Sequence, residues 1–310
     1  MIIRLTGDEQ PDVHLAAATL NELGVPPYES TAPARGRRVR PMWQVVSRSS
    51  DILQTQRSPP SYNLHIRRDR GFSGASPADI DVVVTVGRLS LDMSMRRLWN
   101  ERLGPLFANL SAEQPAHRVG PAIVTAANSD WLEQGRRLRN RLISASNHII
   151  ECHHIGSTSV SGLPAKDVID LQVVVAEPQL LHRVSEDLLA HGFPKYPGQW
   201  SDLQRLGNPL PMHSVKHFHA NADPGRPVNV HVRVADAPDR EFSVAFRDWL
   251  RANGDERETY SRYKQTLASS HAGDATTASY AEAKAEWVRN YAERRIEQWI
   301  IRSNWRLPRY

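Results

Sequence analysis

The residues best suited to chemistry in this sequence form one short constellation. Gly156 and Ser157 follow an apolar stretch, a pattern in which backbone N–H groups and a hydroxyl can approach an anion closely. Asp170 interrupts an otherwise β-branched run, Val168–Val175, which predicts a buried strand. A carboxylate there is costly to bury unless it is paired or binds a cation. The pattern predicts phosphate and metal binding, with Lys166 or a helix N-terminus as the alternative partner of Asp170.

The whole string HIGSTSVSGLPAKDVIDLQVVV, which begins at His154, resembles the signature of the GrpB-like family. That family belongs to the DNA-polymerase-β-type nucleotidyltransferase superfamily. The resemblance implies that Gly156 and Ser157 hold the phosphates of a nucleotide, and that Asp170 is the catalytic residue that binds Mg²⁺. Because strand side chains alternate between faces, Asp170 shares a face with Gln172, which stands where the superfamily has its second carboxylate.

The third superfamily carboxylate is expected on a later strand, for which Val228–Val234 is the best candidate, and this stretch contains no acid. One carboxylate and one amide fit a single Mg²⁺ whose shell is completed by substrate phosphates, rather than a two-metal centre. The sequence therefore favours nucleotide binding, or a site whose role is structural, over nucleotidyl transfer.

Five further residues are candidate nucleotide contacts. His231 and Arg233 share one face of their predicted strand. Lys264 and Lys284 stand in two Tyr-x-x-x-Lys pairs at positions that the GrpB-like family also tends to hold, so the resemblance implies that they reach a triphosphate. Lys166, within the signature itself, is included in the same set. The alternative for Lys264 and Lys284 is that they are solvated helix lysines.

Histidines offer a different kind of site. His213, His217 and His219 follow the spacing H-x-x-x-H-x-H, and His231 comes later. Neutral imidazole suits zinc, so these four residues are a candidate zinc site. Polar histidines near an anion site are the preferred interpretation.

The first residues resemble a second family. Met1–Gly24 is similar to the opening strand, phosphate loop and first helix of dephospho-CoA kinases, and Asp79–Val86 with Leu91–Leu106 is similar to their last strand and helix. A working phosphate loop reads G-x-x-x-x-G-K-[ST]. Counted from Gly7, its last three positions are Asp12, Val13 and His14. The resemblance thus implies a shortened kinase-like remnant with a degenerate loop and no ATP site.

These features predict an α/β protein in two parts. Residues 1–117 form a truncated P-loop-kinase or Rossmann-like remnant, and residues 118–310 form an α+β domain, a nucleotidyltransferase-like mixed sheet with flanking helices. Within the second part, Asp130–Ala145 has the spacing of an amphipathic helix.

Charge is placed unevenly along the chain. The net charge is +5 and the isoelectric point is about 9.5, yet residues 28–72 alone contain nine arginines against three acidic residues. Such a segment can bind nucleic acid through phosphates. Its low periodicity favours a solvated loop, with one short element near residues 43–53.

Composition limits the remaining classes. The single cysteine, Cys152, excludes an intramolecular disulfide, and no apolar run is long enough to span a membrane, so we expect a cytoplasmic protein without a membrane partner. Three functions stay open. They are a nucleotide-binding protein with weak transferase activity, an inactive or non-catalytic partner in coenzyme A biosynthesis, and an arginine-rich interaction or RNA-binding protein.

Overall fold

The computed structural model describes residues 1–27, 42–45, 61–68, 81–87, 89–202 and 215–308. The chain forms two compact units. The first holds Met1–Ala116, Asp187–Pro194 and Ala222–Gly225, and the second holds His117–Glu186, Lys195–Asn221 and Arg226–Tyr310. Two short segments from the second half of the sequence therefore belong to the first unit. Most of the arginine-rich segment 28–72 lies outside the described residues. Its interpretation as a loop or as a nucleic-acid contact therefore stays a prediction.

The first unit is a parallel α/β layer. Its strands are β1 (Ile2–Gly7), β2 (Met42–Val45), β3 (Ser61–Arg68) and β4 (Val82–Val86), and its helices are α1 (Gln10–Glu22), α2 (Leu91–Leu98) and α3 (Gly104–Ser111). A π-helical turn, Trp99–Leu103, joins α2 to α3. The strand order is β2-β1-β3-β4, and all three strand pairs are parallel. The predicted α/β class is confirmed here.

Apolar side chains explain this layer. Strands of a parallel sheet are covered on both faces and therefore need nearly continuous apolar runs, which β1 and β3 supply. Ile3, Leu5 and Leu64 are fully buried, and Leu20 of α1 and Met95 of α2 join them in one core. Strand β3 was not predicted from the sequence.

The second unit is a mixed sheet with helices. Its strands are β5 (Ile149–Ile155), β6 (Ile169–Val175), β7 (Trp200–Ser201), β8 (Val215–Ala220) and β9 (Val228–Val234). Its helices are α4 (Asp130–Ala145), α5 (Leu180–Ala190), α6 (Pro238–Ala252), α7 (Gly254–Ser270), α8 (Ala278–Trp287) and α9 (Glu293–Ser303), α5 ending in a segment of the first unit. The order is β5-β6-β9-β8-β7, with β6 and β9 parallel and the other pairs antiparallel. The predicted mixed sheet is confirmed.

Alternation gives this sheet two different faces. Leu171, Val173, Val230 and Val232 are fully buried on one face, where α4 packs against β5 and β6. The predicted amphipathic helix is α4 itself, with the same first and last residues. The opposite face carries polar residues of β6 and β9, and it is available for a site.

A second apolar cluster fixes the helices that follow the sheet. Val160 and Leu163, just after the motif turn, pack with Trp249 of α6 and Tyr260 of α7. The rings of Tyr260 and Trp287 stack with centroids 4.9 Å apart, which ties α7 to α8. The turn is thereby held beside the two helices that carry the predicted lysines. In the part of the chain that is described, none of the helices has both the length and the apolar character to cross a membrane.

Candidate functional site

One face of the second sheet gathers polar residues because of its register. Asp170 pairs with Asn229, and Gln172 pairs with His231, in the parallel ladder of β6 and β9. Residues that face each other in a ladder lie on the same side of a sheet. Asp170, Gln172, Asn229 and His231 therefore stand together on the face opposite the apolar core.

The Gly156–Ser157 turn lies directly against Asp170. Ile155, the last residue of β5, pairs with Asp170, and the chain then turns at Gly156 with φ 69° and ψ −173°. A Cβ at this position would lie 2.6 Å from Oδ2 of Asp170. Only glycine permits this backbone angle together with this approach. The predicted phosphate-holding pair and the predicted metal ligand are thus adjacent.

Two arginines of α6 hold the turn in place. Arg247 Nη1 donates to the carbonyl oxygen of His154 at 3.0 Å, and Arg251 Nη2 donates to that of Ser159 at 2.7 Å. A short 3₁₀ turn, Ser157–Ser159, lies between these carbonyls. The first N–H groups of such a turn have no acceptor within it and are suited to bind an anion.

Asp170 is oriented by an amide that sequence reasoning missed. Asn229 Nδ2 donates to Asp170 Oδ1 at 2.8 Å, and Arg118 Nη2 donates in turn to Asn229 Oδ1 at 2.9 Å. The predicted alternative partners were Lys166 and a helix N-terminus, whereas the hydrogen bond comes from the neighbouring strand. The role of Asn229 could have been predicted, because it stands two residues before His231 and so lies on the same face of the strand. The role of Arg118 could not, because its loop has no periodicity that would place it near Asp170.

Lys264 is the most deeply buried of the three predicted lysines. It is 2% exposed, and its Nζ donates to Ser157 Oγ at 2.9 Å and to the carbonyl oxygen of Pro164 at 2.6 Å. Burial lowers the pKa of Lys264 to about 7, and repulsion from Lys284 acts in the same direction. The alternative that Lys264 is a solvated helix lysine is wrong.

Lys166 and Lys284 complete a cluster of cations. Burial, followed by repulsion from Lys284, lowers the pKa of Lys166 to about 8, while Asp170 opposes this shift. Lys284 therefore acts electrostatically on both Lys166 and Lys264. We call Lys166, Lys264 and Lys284 the lysine cluster. Lys166 and Lys264 each interact electrostatically with one carboxylate, Asp170, and with Lys284. Three basic side chains therefore act on this region against one acid, a balance suited to an anionic ligand.

His231 is a neutral group at the edge of this cluster. Burial holds its pKa well below the usual value, and Lys216, Arg233 and Lys284 lower it further. Its Nδ1 is buried without a hydrogen-bond partner among the described residues, and its ring lies 5.0 Å from that of Phe218. The neutral imidazole can offer a ligand either a donor or an acceptor.

Arg233 does not have the predicted role. It is 3% exposed, and its guanidinium donates to both oxygens of Asp202 at 2.8 Å and to Oε1 of Gln172 at 2.7 Å. Gln172 Nε2 donates to the carbonyl oxygen of Arg240. Arg233 and Gln172 therefore form a buried network, and the position where a second metal-binding carboxylate was expected holds an amide that contacts Arg233 and Arg240.

The proposed zinc site is also wrong for the residues that are described. His217 and His219 both contact Ser185 Oγ, at 2.6 and 2.9 Å, on the face of β8 opposite the one that carries Phe218 and His231. His213 lies outside the described residues. Among those that are described, no three His, Cys, Asp or Glu side chains converge as a metal-binding group.

Curated relatives include kinases longer than this chain. The dephospho-CoA kinase of Mycobacterium tuberculosis is 37% identical over 225 residues, which cover 68% of this chain and 54% of the kinase. That of Mycobacterium leprae is 34% identical over 229 residues, with 68% and 55% covered. The chain thus spans about half the length of these relatives. The predicted resemblance to dephospho-CoA kinases is confirmed by these sequence identities.

Further similarities come from another curated protein, a solved structure and a family model. A UPF0157 protein of Streptomyces coelicolor is 32% identical over 173 residues, covering 54% of this chain and 83% of that protein. The crystal structure of the conserved protein GrpB from Enterococcus faecalis has a TM-score of 0.43 and 24% identity, and it covers 59% of this chain and 100% of that one. The GrpB protein family matches residues 121–294, a range that contains the Gly156–Ser157 turn, Asp170 and the whole lysine cluster. The chain therefore belongs to the GrpB family.

Proposed function

We propose that the second unit binds a nucleotide through its phosphate groups at the Gly156–Ser157 turn. The observation that carries this proposal is the lysine cluster, in which Lys264 contacts Ser157 and both Lys166 and Lys264 interact with Asp170 and Lys284. Burial lowers the pKa of both Lys166 and Lys264, so the charged form of each lysine is unfavourable without an anion beside it. A polyanion between them would offset that cost.

Each group of the site has a distinct part in this proposal. The N–H groups of the turn and the Ser157 hydroxyl donate to phosphate oxygens, as in other glycine-containing anion sites. The lysine cluster supplies the charge that neutralises the phosphates. Lys264 also orients the Ser157 hydroxyl through its 2.9 Å hydrogen bond.

The donor set fits one magnesium ion that arrives with the nucleotide. Among the described residues, Asp170 is the carboxylate that lies against the turn, and Mg²⁺ commonly binds one or two carboxylates together with substrate phosphates and water. Asp170 would hold the ion, which would offset phosphate charge. A two-metal centre lacks its second and third carboxylates, because those places hold Gln172 and the acid-free strand β9. We therefore propose binding, with weak nucleotidyl transfer at most.

Thermal unfolding of the full chain tests the proposal. ATP, CTP, GTP, UTP and dephospho-CoA are compared with and without Mg²⁺, since a ligand at about 100 times its Kd adds roughly 2.7 kcal/mol to stability. Asp170→Asn, which keeps the acceptor for Asn229, is expected to lose the Mg²⁺-dependent part of the shift. Lys264→Met is expected to lose most of the whole shift.

Arg262→Met is the matched control, because Arg262 lies on the same helix and its side chain is 70% exposed. It removes one positive charge from α7 without touching the lysine cluster. Equal loss of the ligand shift in Arg262→Met and Lys264→Met would contradict the site, as would the absence of a shift with every ligand.

The similarity to dephospho-CoA kinases makes ATP-dependent phosphorylation of dephospho-CoA the second candidate. The connection between β1 and α1 opposes it, because only two residues lie between the end of β1 and the start of α1. A Cβ at Gly7 would lie 2.6 Å from Cγ2 of Val13, and Val13 is buried in the core where a phosphate loop needs space. We therefore propose that the first unit has no kinase activity, and we expect no CoA when the chain is incubated with ATP and dephospho-CoA.

An interaction through residues 28–72 is the third candidate, and it stays a prediction because these arginines lie largely outside the described residues. Strong salt dependence of RNA binding that disappears when the segment is deleted would support it.

A further inference from the structure

Three aromatic rings form a half-exposed cluster at the far edge of the second sheet. The rings of Tyr196 and Phe218 stack with centroids 5.0 Å apart, and the ring of Trp200 lies 4.8 Å from that of Phe218. Trp200 is 38% exposed, although an indole ring in a sheet is usually covered. We call Tyr196, Trp200 and Phe218 the aromatic platform.

Register places the platform on the same face of the sheet as Asp170. Trp200 pairs with Lys216, two residues from Phe218 on β8, and Phe218 pairs with His231 on β9. His231 pairs in turn with Gln172, which shares its face of β6 with Asp170. Trp200 is three strands from Asp170, about 14 Å across the sheet, and it is offset along the strands by the four residues from Ala220 to Lys216, about 13 Å. The two backbone positions are therefore roughly 19 Å apart.

Arg118 joins the platform to the phosphate site. Its Nη2 donates to the Tyr196 hydroxyl at 3.1 Å and to Asn229 Oδ1 at 2.9 Å, and Asn229 donates to Asp170. Arg118 is exposed, so its charge lies on the surface between the two groups. A ligand that extends from the lysine cluster towards Trp200 would pass a cation on the way.

We infer that the aromatic platform is a nucleobase subsite, in which the base of the phosphate-bound nucleotide stacks on Trp200. This inference rests on the proposed function. A flat π-system suits an exposed indole better than a sugar or an alkyl chain does, and base–aromatic stacking accepts any base. Between the base and the terminal phosphates, the sugar and the first phosphate would cross the sheet past Arg118. The ligand class is thus a nucleoside polyphosphate rather than inorganic phosphate or a sugar phosphate.

The test compares ATP with inorganic triphosphate, each with Mg²⁺, by titration calorimetry on the full chain. The wild type is expected to bind ATP more tightly than triphosphate. Trp200→Ala is expected to weaken ATP binding about tenfold or more and to leave triphosphate binding unchanged, because stacking on an aromatic side chain contributes on that scale. Trp200→Phe, which keeps a flat ring against Phe218, is expected to retain most of the affinity for ATP.

Three results would overturn the inference. Equal affinity of the wild type for ATP and triphosphate would show that no base is bound. Equal weakening of both ligands by Trp200→Ala would make Trp200 a structural residue of β7, and unchanged ATP binding in Trp200→Ala would remove its role altogether.

A separate arm distinguishes failure of the proposed function. If triphosphate does not bind the wild type, the phosphate site is wrong, whatever Trp200 does. Adenosine at millimolar concentration then tests whether the platform binds a base without any phosphate. Quenching of tryptophan fluorescence that is lost in Trp200→Ala supports stacking there, and no such quenching overturns the platform as well.

Discussion

Gly156 is the residue whose replacement tests the turn most directly. Its φ of 69° disfavours any residue with a Cβ, and that Cβ would also lie 2.6 Å from Oδ2 of Asp170. Gly162 has a similar φ of 75°, but a Cβ there meets no atom within 4 Å. Gly162→Ala is expected to lower the free energy of unfolding by about 1–2 kcal/mol because of its positive φ. The corresponding backbone cost at Gly156 is about 1–3 kcal/mol, because φ 69° with ψ −173° is a conformation essentially confined to glycine. Gly156→Ala is expected to cost more, because it also displaces Asp170.

Urea denaturation measures the two unfolding free energies, and the Mg²⁺-dependent thermal shift with ATP reports on Asp170. Gly162→Ala should keep that shift, while Gly156→Ala should abolish it. A Gly156→Ala protein that is no less stable than Gly162→Ala and still binds Mg²⁺ with ATP would show that the carboxylate does not depend on this approach.

Lys264 makes stability depend on pH in a defined direction. Burial lowers its pKa from 10.5 in the unfolded chain to about 7. Between these values the unfolded chain binds a proton that the folded chain does not, so the free energy of unfolding rises with pH over this interval. Lys166, with a pKa of about 8, adds a slope of the same sign above that pH.

Lys264→Met is therefore expected to be more stable relative to the wild type at pH 7 than at pH 10, because the methionine has no charge to bury. Unfolding free energies of both proteins, measured at intervals between pH 6.5 and 10, give the difference directly. The Arg262→Met protein should follow the wild type throughout. A difference between Lys264→Met and the wild type that does not change with pH would contradict the burial of a charged lysine.

At the scale of elements, a buried ion pair connects the end of β7 to β9. Asp202 and Arg233 have side chains that are 3% and 4% exposed, and Lys216 of β8 also donates to Asp202 at 2.8 Å. Asp202→Ala would leave two buried cations without their carboxylate. Such a loss is expected to lower the free energy of unfolding by about 3–5 kcal/mol.

The exposed pair of Arg262 and Glu258 provides the control, since their side chains are 70% and 68% exposed. Glu258→Ala is expected to change stability by less than about 1 kcal/mol. Both variants are compared by urea denaturation at neutral pH. If Asp202→Ala costs no more than Glu258→Ala, the pair does not hold the edge strands.

Periodicity predicted the elements of the second unit well where it was strong. Helix α4 and strand β9 have the predicted first and last residues, because an amphipathic face and an alternating strand each dictate one structure.

The part of the site that comes from neighbouring residues in the sequence was predicted, and the part that comes from strand order was not. Gly156, Ser157 and Asp170 lie within one short stretch, so their proximity follows from local sequence. Arg118 and Asn229 reach Asp170 only through the order of strands in the sheet, which no local pattern contains. Arg233 lies on the predicted face of β9, but its guanidinium binds Asp202 instead of facing a ligand. The sequence could not indicate this ion pair, because Asp202 lies in a connection without periodicity.

For the whole molecule, the two units do not correspond to two continuous halves of the sequence. Ala222, from the second half, is fully buried in the core of the first unit, and its carbonyl oxygen accepts a hydrogen bond from Asn109 at 2.8 Å. Asp223, whose side chain is 1% exposed, accepts hydrogen bonds from Tyr62 and Arg102. The first unit therefore takes part of its core and a buried carboxylate from residues 222–225.

A fragment of residues 1–116 is accordingly expected not to fold. It keeps Arg102 and the buried hydroxyl of Tyr62 but lacks Asp223, and removing one partner of a buried ion pair costs about 3–5 kcal/mol. Whole domains are stable by only about 5–15 kcal/mol, and the fragment also loses the apolar contacts of residues 187–194 and 222. Circular dichroism and amide proton spectra of the fragment are expected to show no cooperative thermal transition and little chemical-shift dispersion.

Two variants of the full chain separate the role of Asp223 from other effects of truncation. Asp223→Ala is expected to destabilise the first unit by up to about 3–5 kcal/mol, because Arg102, whose side chain is only 23% exposed, then loses its carboxylate. Glu101→Ala, which removes the exposed partner of Arg97 next to Arg102, is expected to cost less than about 1 kcal/mol. A fragment that unfolds cooperatively, or an Asp223→Ala protein as stable as Glu101→Ala, would mean that the first unit is an independent domain after all. Otherwise the kinase-like part cannot be separated from the GrpB part at a single cut, and both must be studied in one chain.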